Sequence, residues 1–256
     1  MSGLSDSGRF SLRGRTALVT GGNGGLGLMI ALGLREAGAR TVGAGRNPAK
    51  NTEARKCLDD CVALDVLDED AIACVMRDVR PDILVNAAGI VVVGTSAGVD
   101  GAAYNSVIHT HLTGAYLCAR HAARHMERGG KIINIGSMYS LFGSPVAGSY
   151  AAAKAGMLGL TRSLAAELAP RHIQVNAILP GWYRTDSTAG FVDSSLGEKI
   201  RRLTPAGRWG EGRDVADVGV FLAAPASDFV TGAAIPADGG YSITGGLMAE
   251  DWAPLL

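Results

Sequence analysis

The chain has 256 residues, of which 47% are hydrophobic and 36 are glycines, and this size and composition suit one α/β domain with a substantial core. Lysine plus arginine equals aspartate plus glutamate at 24 each, so no long-range field favours nucleic acid or an acidic membrane as a partner. No apolar run approaches the ~18 residues of a membrane span, and the segment from Met1 to Gly14 lacks an apolar signal core, so we expect a cytoplasmic location.

Cysteines and histidines form no recognisable metal-ligand set in this sequence. Two of the four cysteines have helical spacing, but no matching Cys/His pair accompanies them. We therefore expect no metal, and free thiols at Cys57, Cys61, Cys74 and Cys118.

Apolar runs alternate with helical patterns along the chain. The runs predict buried strands over 16–20, 40–44, 61–65, 82–86, 131–135 and 173–177. Helical patterns fill about 25–37, 104–127 and 149–169, and Pro170 ends the last of them. The connections over 46–62 and 66–82 are short, which predicts one or two abbreviated helices. Continuous apolar strands alternating with helices indicate a single-domain, doubly wound parallel sheet with helices on both faces.

Three segments lie outside this strand–helix pattern. Residues 1–11 are polar and are expected to be flexible. Residues 186–205 are expected to form a substrate lid, with glycines at 190 and 197 that permit movement. Residues 242–256 follow the final strand and are either a disordered tail or an apolar arm packed on a neighbouring subunit, which we favour.

A glycine-rich turn follows the first predicted strand and opens the first predicted helix. In this turn Gly21 permits a tight bend, Gly25 lets a pyrophosphate approach the backbone, and Gly27 allows the helix to pack closely on the strand. The helix N-terminus offers N–H donors and a positive dipole to phosphates. The position after a strand predicts a dinucleotide site in a Rossmann-type fold. The expected contacts from the turn are Gly21, Asn23, Gly25, Leu26 and Gly27.

The end of the second strand indicates which dinucleotide is bound. Where NAD-binding proteins carry an acid for the ribose 2′-hydroxyl, this chain has Gly45 followed by Arg46. No carboxylate is present here to repel the 2′-phosphate of NADP, and the adjacent guanidinium attracts it. The sequence therefore favours NADP over NAD, although NAD stays possible. Neither Asn23 nor Gly24 supplies a second basic group.

Tyr150 and Lys154 are four residues apart on a predicted helix, with Ser137 thirteen residues upstream of the tyrosine. Residues i and i+4 share a helix face, so the phenol and the ammonium can point into one pocket. A free tyrosine titrates near pH ~10, and a lysine cation beside it favours the phenolate. A serine hydroxyl could hold a substrate oxygen against that phenol. The three residues predict proton transfer at a carbinol or carbonyl oxygen.

With these motifs in order, the chain resembles the short-chain dehydrogenase/reductase family from about Leu12 to Tyr241. The turn at 20–27 and the catalytic serine, tyrosine and lysine at Ser137, Tyr150 and Lys154 match the family. Further matches are Asp65 and Val66 beside adenine, the Asn86, Ala87 and Gly89 turn under the cofactor, the nicotinamide segment with Pro180, Gly181, Tyr183 and Thr185, and the C-terminal turn at 238–240.

The resemblance implies roles for the catalytic residues. Ser137 orients the substrate oxygen, and Tyr150 takes or gives the proton. Lys154 lowers the tyrosine pKa and binds the nicotinamide ribose, while hydride passes between the substrate carbon and the nicotinamide. His111 departs from the family, which usually has an asparagine there that anchors a water linked to the lysine. An imidazole either relays protons itself or has no catalytic task.

The substrate is less well determined by the sequence. Expected substrate contacts are Ser137, Tyr139, Tyr150 and Trp182, with Phe142, Phe191 and Val192 as further pocket walls. The segment over 204–210 resembles the gluconate and deoxygluconate dehydrogenase branch, which favours a sugar acid or polyol. Arg128 and Arg171 favour the alternative of a 3-oxoacyl-carrier-protein reductase. A non-catalytic dinucleotide-binding sensor is the alternative of another class.

Most members of the family are tetramers. Their interfaces are built through helices that correspond here to about 104–127 and 149–169. Both segments are rich in alanine on one side, which permits close helix approach. We therefore expect a homotetramer and no nucleic-acid or membrane partner.

Overall fold

The computed structural model describes residues 8–127 and 129–244 of the chain. At its centre lies a parallel sheet of seven strands in the order β3-β2-β1-β4-β5-β6-β7. The strands are β1 Thr16–Thr20, β2 Arg40–Gly45, β3 Asp60–Ala63, β4 Ile83–Asn86, β5 Gly130–Ile135, β6 Ile173–Pro180 and β7 Ala234–Ala237. The doubly wound parallel sheet is confirmed, and the six strands delimited from the sequence are found with small shifts at their ends.

Helices connect the strands and cover both faces of the sheet. They are α1 Gly25–Glu36, α2 Pro48–Ala54, α3 Glu69–Val79, α4 Gly101–Ile108, α5 Gly114–His125, α6 Gly148–Leu168, α7 Ala189–Val192, α8 Ser195–Leu203 and α9 Gly212–Ala223. The abbreviated connection is α2, which has seven residues. Asn47 caps it by accepting a hydrogen bond from Lys50 N at 3.1 Å, and Pro48 begins it with a fixed φ.

The continuous helix predicted over 104–127 is wrong in one respect. Between α4 and α5 the backbone forms a π-helical turn over His109–Thr113. A π-turn inserts one residue into the helix and changes the direction of the side chains that follow, and such turns are frequent at functional sites. His111 lies inside this turn and is buried.

Two apolar layers hold the sheet between its helices. On one face α1 and α9 pack together so closely that a Cβ on Gly33 would lie 2.7 Å from Ala216 Cβ. Fully buried side chains such as Ile30 and Leu34 fill this layer, and each contributes roughly 1.5–3 kcal/mol through burial. The other layer lies beneath α3, α5 and α6 and includes Ile72.

The order of the strands reverses beside β1, whose two neighbours are β2 and β4. In open parallel sheets ligands bind in the crevice outside the carboxyl ends of the strands at such a point. Here Thr20 and Asn86, the last residues of β1 and β4, are paired in register. No helix in the part of the chain that the structure describes is long and apolar enough to cross a membrane.

Candidate active site

The glycine-rich turn has the shape that a dinucleotide requires. Gly21 has φ 69°, and a Cβ there would lie 2.8 Å from Ala87 O, so a side chain is excluded by conformation and by space. A Cβ on Gly27 would lie 2.4 Å from Gly21 O. Gly25 has φ 51° and no atom within 4 Å of its Cβ position, which leaves its outer side open. No side chain of residues 8–127 or 129–244 caps α1, so the first N–H groups of this helix are available to phosphate.

Two cavities adjoin this turn. The smaller, about 100 Å³, is lined by several predicted cofactor contacts: Gly21, Arg46, Asp65, Val66 and Gly89. The larger, about 780 Å³, runs from Asn23 and Gly25 past α2 to the segment over 184–193, where Thr185 lines it. These surfaces, with the open helix N-terminus, fit an adenosine group and a pyrophosphate. At the smaller cavity, Arg46 Nη1 lies 3.7 Å from Asp65 Oδ2.

The turn after β4 supports the same crevice from below. Ala87 N donates to Thr20 O at 3.1 Å, which continues the β1–β4 pairing past the strand end. Asn86 Nδ2 donates to Asn134 Oδ1 at 2.9 Å, and Asn134 Nδ2 donates to Thr161 Oγ1 of α6 at 3.0 Å. The ends of β4 and β5 are therefore tied to the helix that carries the tyrosine and the lysine.

Ser137, Tyr150 and Lys154 meet at the carboxyl end of β5. The Ser137 hydroxyl lies beside the Tyr150 phenol and lowers the pKa of that phenol. Lys154 Nζ lies 5.4 Å from the centroid of the Tyr150 ring and donates to Ile135 O. Ser137 Oγ also accepts from Tyr139 N at 3.1 Å, which fixes the hydroxyl at the strand end. The structure thus brings the three predicted catalytic residues together.

Burial controls the ionisation of this pair. It lowers the pKa of Lys154 to about 7, and it raises the pKa of Tyr150 above its usual value, although the neighbouring Ser137 hydroxyl acts in the opposite direction. The expectation that Lys154 lowers the Tyr150 pKa is therefore not met by the protein groups alone. The reason is that desolvation of the phenol outweighs every other influence on it, and a lysine with a pKa near 7 is only partly charged at neutral pH.

His111 lies against both the tyrosine and the turn after β4. Its ring meets the Tyr150 ring edge to face at 5.2 Å between centroids. Nε2 is 2.7 Å from Ile90 O and 3.1 Å from Ile90 N, while Nδ1 is buried with no hydrogen-bond partner among the described residues. Burial and then the charge of Lys154 lower the His111 pKa to about 3, so the ring is neutral at physiological pH. A Cβ on Gly89 would lie 2.1 Å from the ring, so this imidazole requires glycine there.

The predicted nicotinamide segment divides into two parts. Pro180 ends β6, and Gly181 N donates to Ala237 O at 3.1 Å, so the chain passes directly beside β7. Thr185 N donates to Thr188 Oγ1 at 2.9 Å at the edge of the larger cavity. The Tyr183 side chain instead points into the core, where its hydroxyl donates to Ala237 O at 2.8 Å.

Trp182 lies in an aromatic cluster beneath the predicted lid. Its ring centroid is 6.1 Å from that of Phe191 and 5.7 Å from that of Trp209, and the last two are 5.8 Å apart. The segment over 186–205 contains α7 and α8, and Val192 and Ile200 attach both helices to this cluster. The Trp182 indole N–H is buried without a partner among the described residues. A Cβ on Gly197 would lie 2.0 Å from Val192 O, so no larger residue fits where α8 begins. Movement of this segment as a lid stays a prediction.

A second aromatic group forms the mouth of the site. Tyr139 lies between Tyr150, at 6.3 Å, and Phe142, at 5.3 Å, and Phe142 stacks on Tyr241 at 6.3 Å. The contribution of Tyr241 was not found from the sequence, because its signal was only its nearness to the glycine pair at 239–240. The remainder of the predicted arm lies beyond residue 244, outside the described residues.

Arg171 lies far from this site. It precedes β6, whereas Ser137 follows β5, so the two residues are at opposite edges of the parallel sheet. Its guanidinium donates to Ala123 O at 2.6 Å. A cavity of about 290 Å³ at the same edge contains Lys131, which is paired with Asp228 at 2.8 Å. Arg128, the other residue considered for carrier docking, is outside the described residues.

The fold and the site define a nicotinamide-dependent class of oxidoreductase. A family model described as enoyl-(acyl carrier protein) reductase matches residues 21–242. The chain belongs to the short-chain dehydrogenase/reductase family.

The relatives that match nearly the whole chain differ from one another in the substrate that their names give. A 2-dehydro-3-deoxy-D-gluconate 5-dehydrogenase of Bacillus subtilis is 38% identical over 91% of this chain and 96% of that protein. A 3-oxoacyl-(acyl-carrier-protein) reductase of Vibrio harveyi is 35% identical over 90% of this chain and 98% of that protein. The solved structure of a gluconate 5-dehydrogenase of Burkholderia cenocepacia in complex with NADP and tartrate has a TM-score of 0.86 at 35% identity, over 91% of this chain and 97% of that one.

Replacement of Tyr150 by phenylalanine tests its acid/base role. We expect Tyr150→Phe to lower kcat by about 10²–10⁴-fold, because the ring stays in place while the group that exchanges the proton is lost. Cofactor affinity is expected to stay within about twofold, since the turn and Lys154 are untouched. Steady-state rates and a cofactor titration measure the two effects. Retention of more than a few per cent of the activity would contradict the role.

Replacement of His111 by asparagine tests whether the imidazole carries protons. We expect His111→Asn to keep turnover at or above the wild-type level, since it restores the family's usual residue. The pH–rate profile from about pH 5 to 8 is expected to be unchanged, because a group with a pKa of about 3 stays neutral over that whole range. The kcat of both proteins as a function of pH measures this. A displaced profile or a large loss would show that the ring takes part in proton transfer.

Proposed function

We propose that this protein is an NADP-dependent oxidoreductase that transfers hydride between the nicotinamide and a secondary alcohol or ketone of the sugar-acid or polyol class. The observation that carries the proposal is the meeting of Ser137 and Tyr150 at the end of β5, with Lys154 Nζ 5.4 Å from the centroid of the phenol ring. This group lies at the same edge of the sheet as the glycine-rich turn. A non-catalytic sensor would not need such a pair at this place.

The residues divide the chemistry of alcohol oxidation between them. The hydroxyl of Ser137 holds the substrate oxygen, and Tyr150 Oη takes the proton of the carbinol O–H while the C–O bond becomes a carbonyl. The bound cofactor supplies the carbon that accepts the hydride, together with a positive charge that favours the phenolate. Lys154 contributes its ammonium next to the phenol, and the reverse steps reduce a ketone.

The cofactor assignment is supported by charge. Gly45 places no carboxylate where the ribose 2′-hydroxyl of NAD would be held, and Arg46 lines the smaller cavity. The related Burkholderia cenocepacia enzyme was solved with NADP. The binding contacts we propose are those of the glycine-rich turn with Arg46, Asp65 and the turn after β4.

The substrate assignment is supported by the relatives and by the mouth of the site. The relatives from Bacillus subtilis and Burkholderia cenocepacia act on gluconate-type sugar acids by name. At the mouth, Tyr139 and Tyr241 present aromatic faces with hydroxyl tips, which suit the C–H faces and hydroxyls of a sugar. The Vibrio harveyi relative favours 3-oxoacyl-carrier-protein reduction as the second candidate. The position of Arg171 at the opposite edge of the sheet counts against carrier docking beside Tyr150 within one chain.

A substrate panel tests this proposal. Absorbance of the reduced nicotinamide is followed with NADP or NAD and with aldonates, deoxy-aldonates, polyols, simple secondary alcohols and 3-hydroxyacyl thioesters. We expect a signal with NADP on an aldonate or polyol, and none from Tyr150→Phe. A signal on the thioesters alone would establish the second candidate. Cofactor binding without turnover of any substrate would instead support a sensor.

We propose a homotetramer as the assembly. The helices expected to form the interfaces carry exposed aromatic rings on α4 and α5, at Tyr104 and Tyr116, which an interface would cover. Light scattering coupled to size exclusion is expected to give four times the chain mass of 26.3 kDa. A dimeric or monomeric mass would contradict the proposal. The cytoplasmic location expected from the sequence stays a prediction.

A further inference from the structure

Besides Arg46, Lys50 is a second cation at the adenosine end of the cofactor site. Lys50 is in the first turn of α2, and its ammonium reaches back over the glycine-rich turn. A Cβ on Gly24 would lie 3.7 Å from Lys50 Nζ. The cation therefore lies where a basic side chain on Gly24 would begin, although no basic residue is present in the turn itself.

The charge of Lys50 is available to a ligand. Its ammonium makes no ion pair or hydrogen bond with another side chain in the described part of the chain. Glu53, which lines the same cavity, is already paired with Lys56 at 2.8 Å. An unpaired, exposed ammonium at a cavity wall keeps its full attraction for an anion that enters.

The backbone of α2 is fixed to the cofactor site by a buried asparagine. Asn51 is 2% exposed, and its Nδ2 donates to Gly45 O at 2.9 Å. Its Oδ1 accepts from Asn23 Nδ2 at 2.7 Å. One side chain thus joins α2, the end of β2 and the glycine-rich turn, and it fixes the backbone from which the side chain of Lys50 extends.

Asn23 and Asn51 also occupy the space that the side chain of an acidic residue at position 45 would need to bind NAD. A Cβ on Gly45 would lie 2.2 Å from Asn23 Nδ2. A side chain at Gly45 therefore collides with the Asn23 amide, which Asn51 holds in place. An amide therefore occupies this corner in place of a carboxylate, with Arg46 as the next residue of the chain and Lys50 beside Gly24 of the glycine-rich turn.

We propose that Lys50 binds the 2′-phosphate of NADP together with Arg46, and that Asn51 is the positioning residue that holds Lys50 and Asn23 for this task. The inference rests on the proposed use of NADP. It assigns cofactor selectivity to α2 as well as to the end of β2. A dianionic phosphate between an ammonium and a guanidinium gains two charge-assisted contacts that the 2′-hydroxyl of NAD cannot make.

The test compares NADPH and NADH affinity in matched variants. Lys50→Gln keeps the length of the side chain and removes its charge, and Arg46→Ala removes the guanidinium. Arg40→Gln is the control, because it removes an exposed charge at the opposite end of β2. Dissociation constants come from the quenching of protein fluorescence by each cofactor. We expect Lys50→Gln and Arg46→Ala each to raise the Kd for NADPH about tenfold and to leave that for NADH within about twofold. Arg40→Gln is expected to change neither dissociation constant.

The possible results distinguish the role of Lys50 from the proposed use of NADP. A wild-type protein that prefers NADH would overturn the use of NADP and the role of Lys50 with it. A wild-type preference for NADPH that Lys50→Gln leaves unchanged would overturn the role of Lys50 alone. Equal losses for NADPH and NADH in Lys50→Gln would also overturn it, because a merely structural role would affect both cofactors alike.

Discussion

The site depends on a buried chain of side-chain hydrogen bonds from Asn86 through Asn134 to Thr161. All three residues are at most 5% exposed, so each unpaired donor or acceptor would cost about 1–3 kcal/mol. The chain joins the carboxyl ends of β4 and β5 to the middle of α6. Because Tyr150 and Lys154 are on that helix, the position of both relative to the sheet edge is fixed from within the core. A cofactor held by the strand ends and a phenol held by α6 therefore share one frame.

Two glycines of the site leave space that a side chain from another element occupies. The His111 ring occupies the Cβ position of Gly89, and the Asn23 amide occupies that of Gly45. In both cases a polar side chain from another part of the chain packs against the backbone, at the end of β2 or in the turn after β4. The missing side chains are therefore a steric requirement of the partners, and backbone conformation requires glycine only where φ is positive, as at Gly21.

Local patterns in the sequence were sufficient for the sheet, for the glycine-rich turn and for the meeting of Ser137, Tyr150 and Lys154. They were sufficient because strand periodicity, helix periodicity and the positions after strand ends are properties of short segments. The π-turn around His111 was missed, since its sequence is compatible with an ordinary α-helix. The inward orientation of Tyr183 was missed for another reason: its partner, Ala237, is far along the chain.

Lys50 shows the same limitation at the cofactor site. A basic residue in the glycine-rich turn would have been visible as a motif, but a basic residue delivered from α2 is not. Its place depends on the capping of α2 by Asn47 and on the bonds that Asn51 makes to two other elements. No spacing rule links residues 24 and 50, so only the three-dimensional structure relates the charge to the turn.

Burial shifts the pKa values of Tyr150 and Lys154 in opposite directions. Burial penalises the charged form of each, so it lowers the Lys154 pKa and raises the Tyr150 pKa. The protein groups by themselves therefore favour a neutral phenol beside a partly neutral amine. A positive charge brought near the phenol would offset this cost of ionisation, and an oxidised nicotinamide would carry such a charge. On this argument the low polarity of the site links proton abstraction to the presence of the oxidised cofactor, because desolvation strengthens the attraction between that cation and the phenolate.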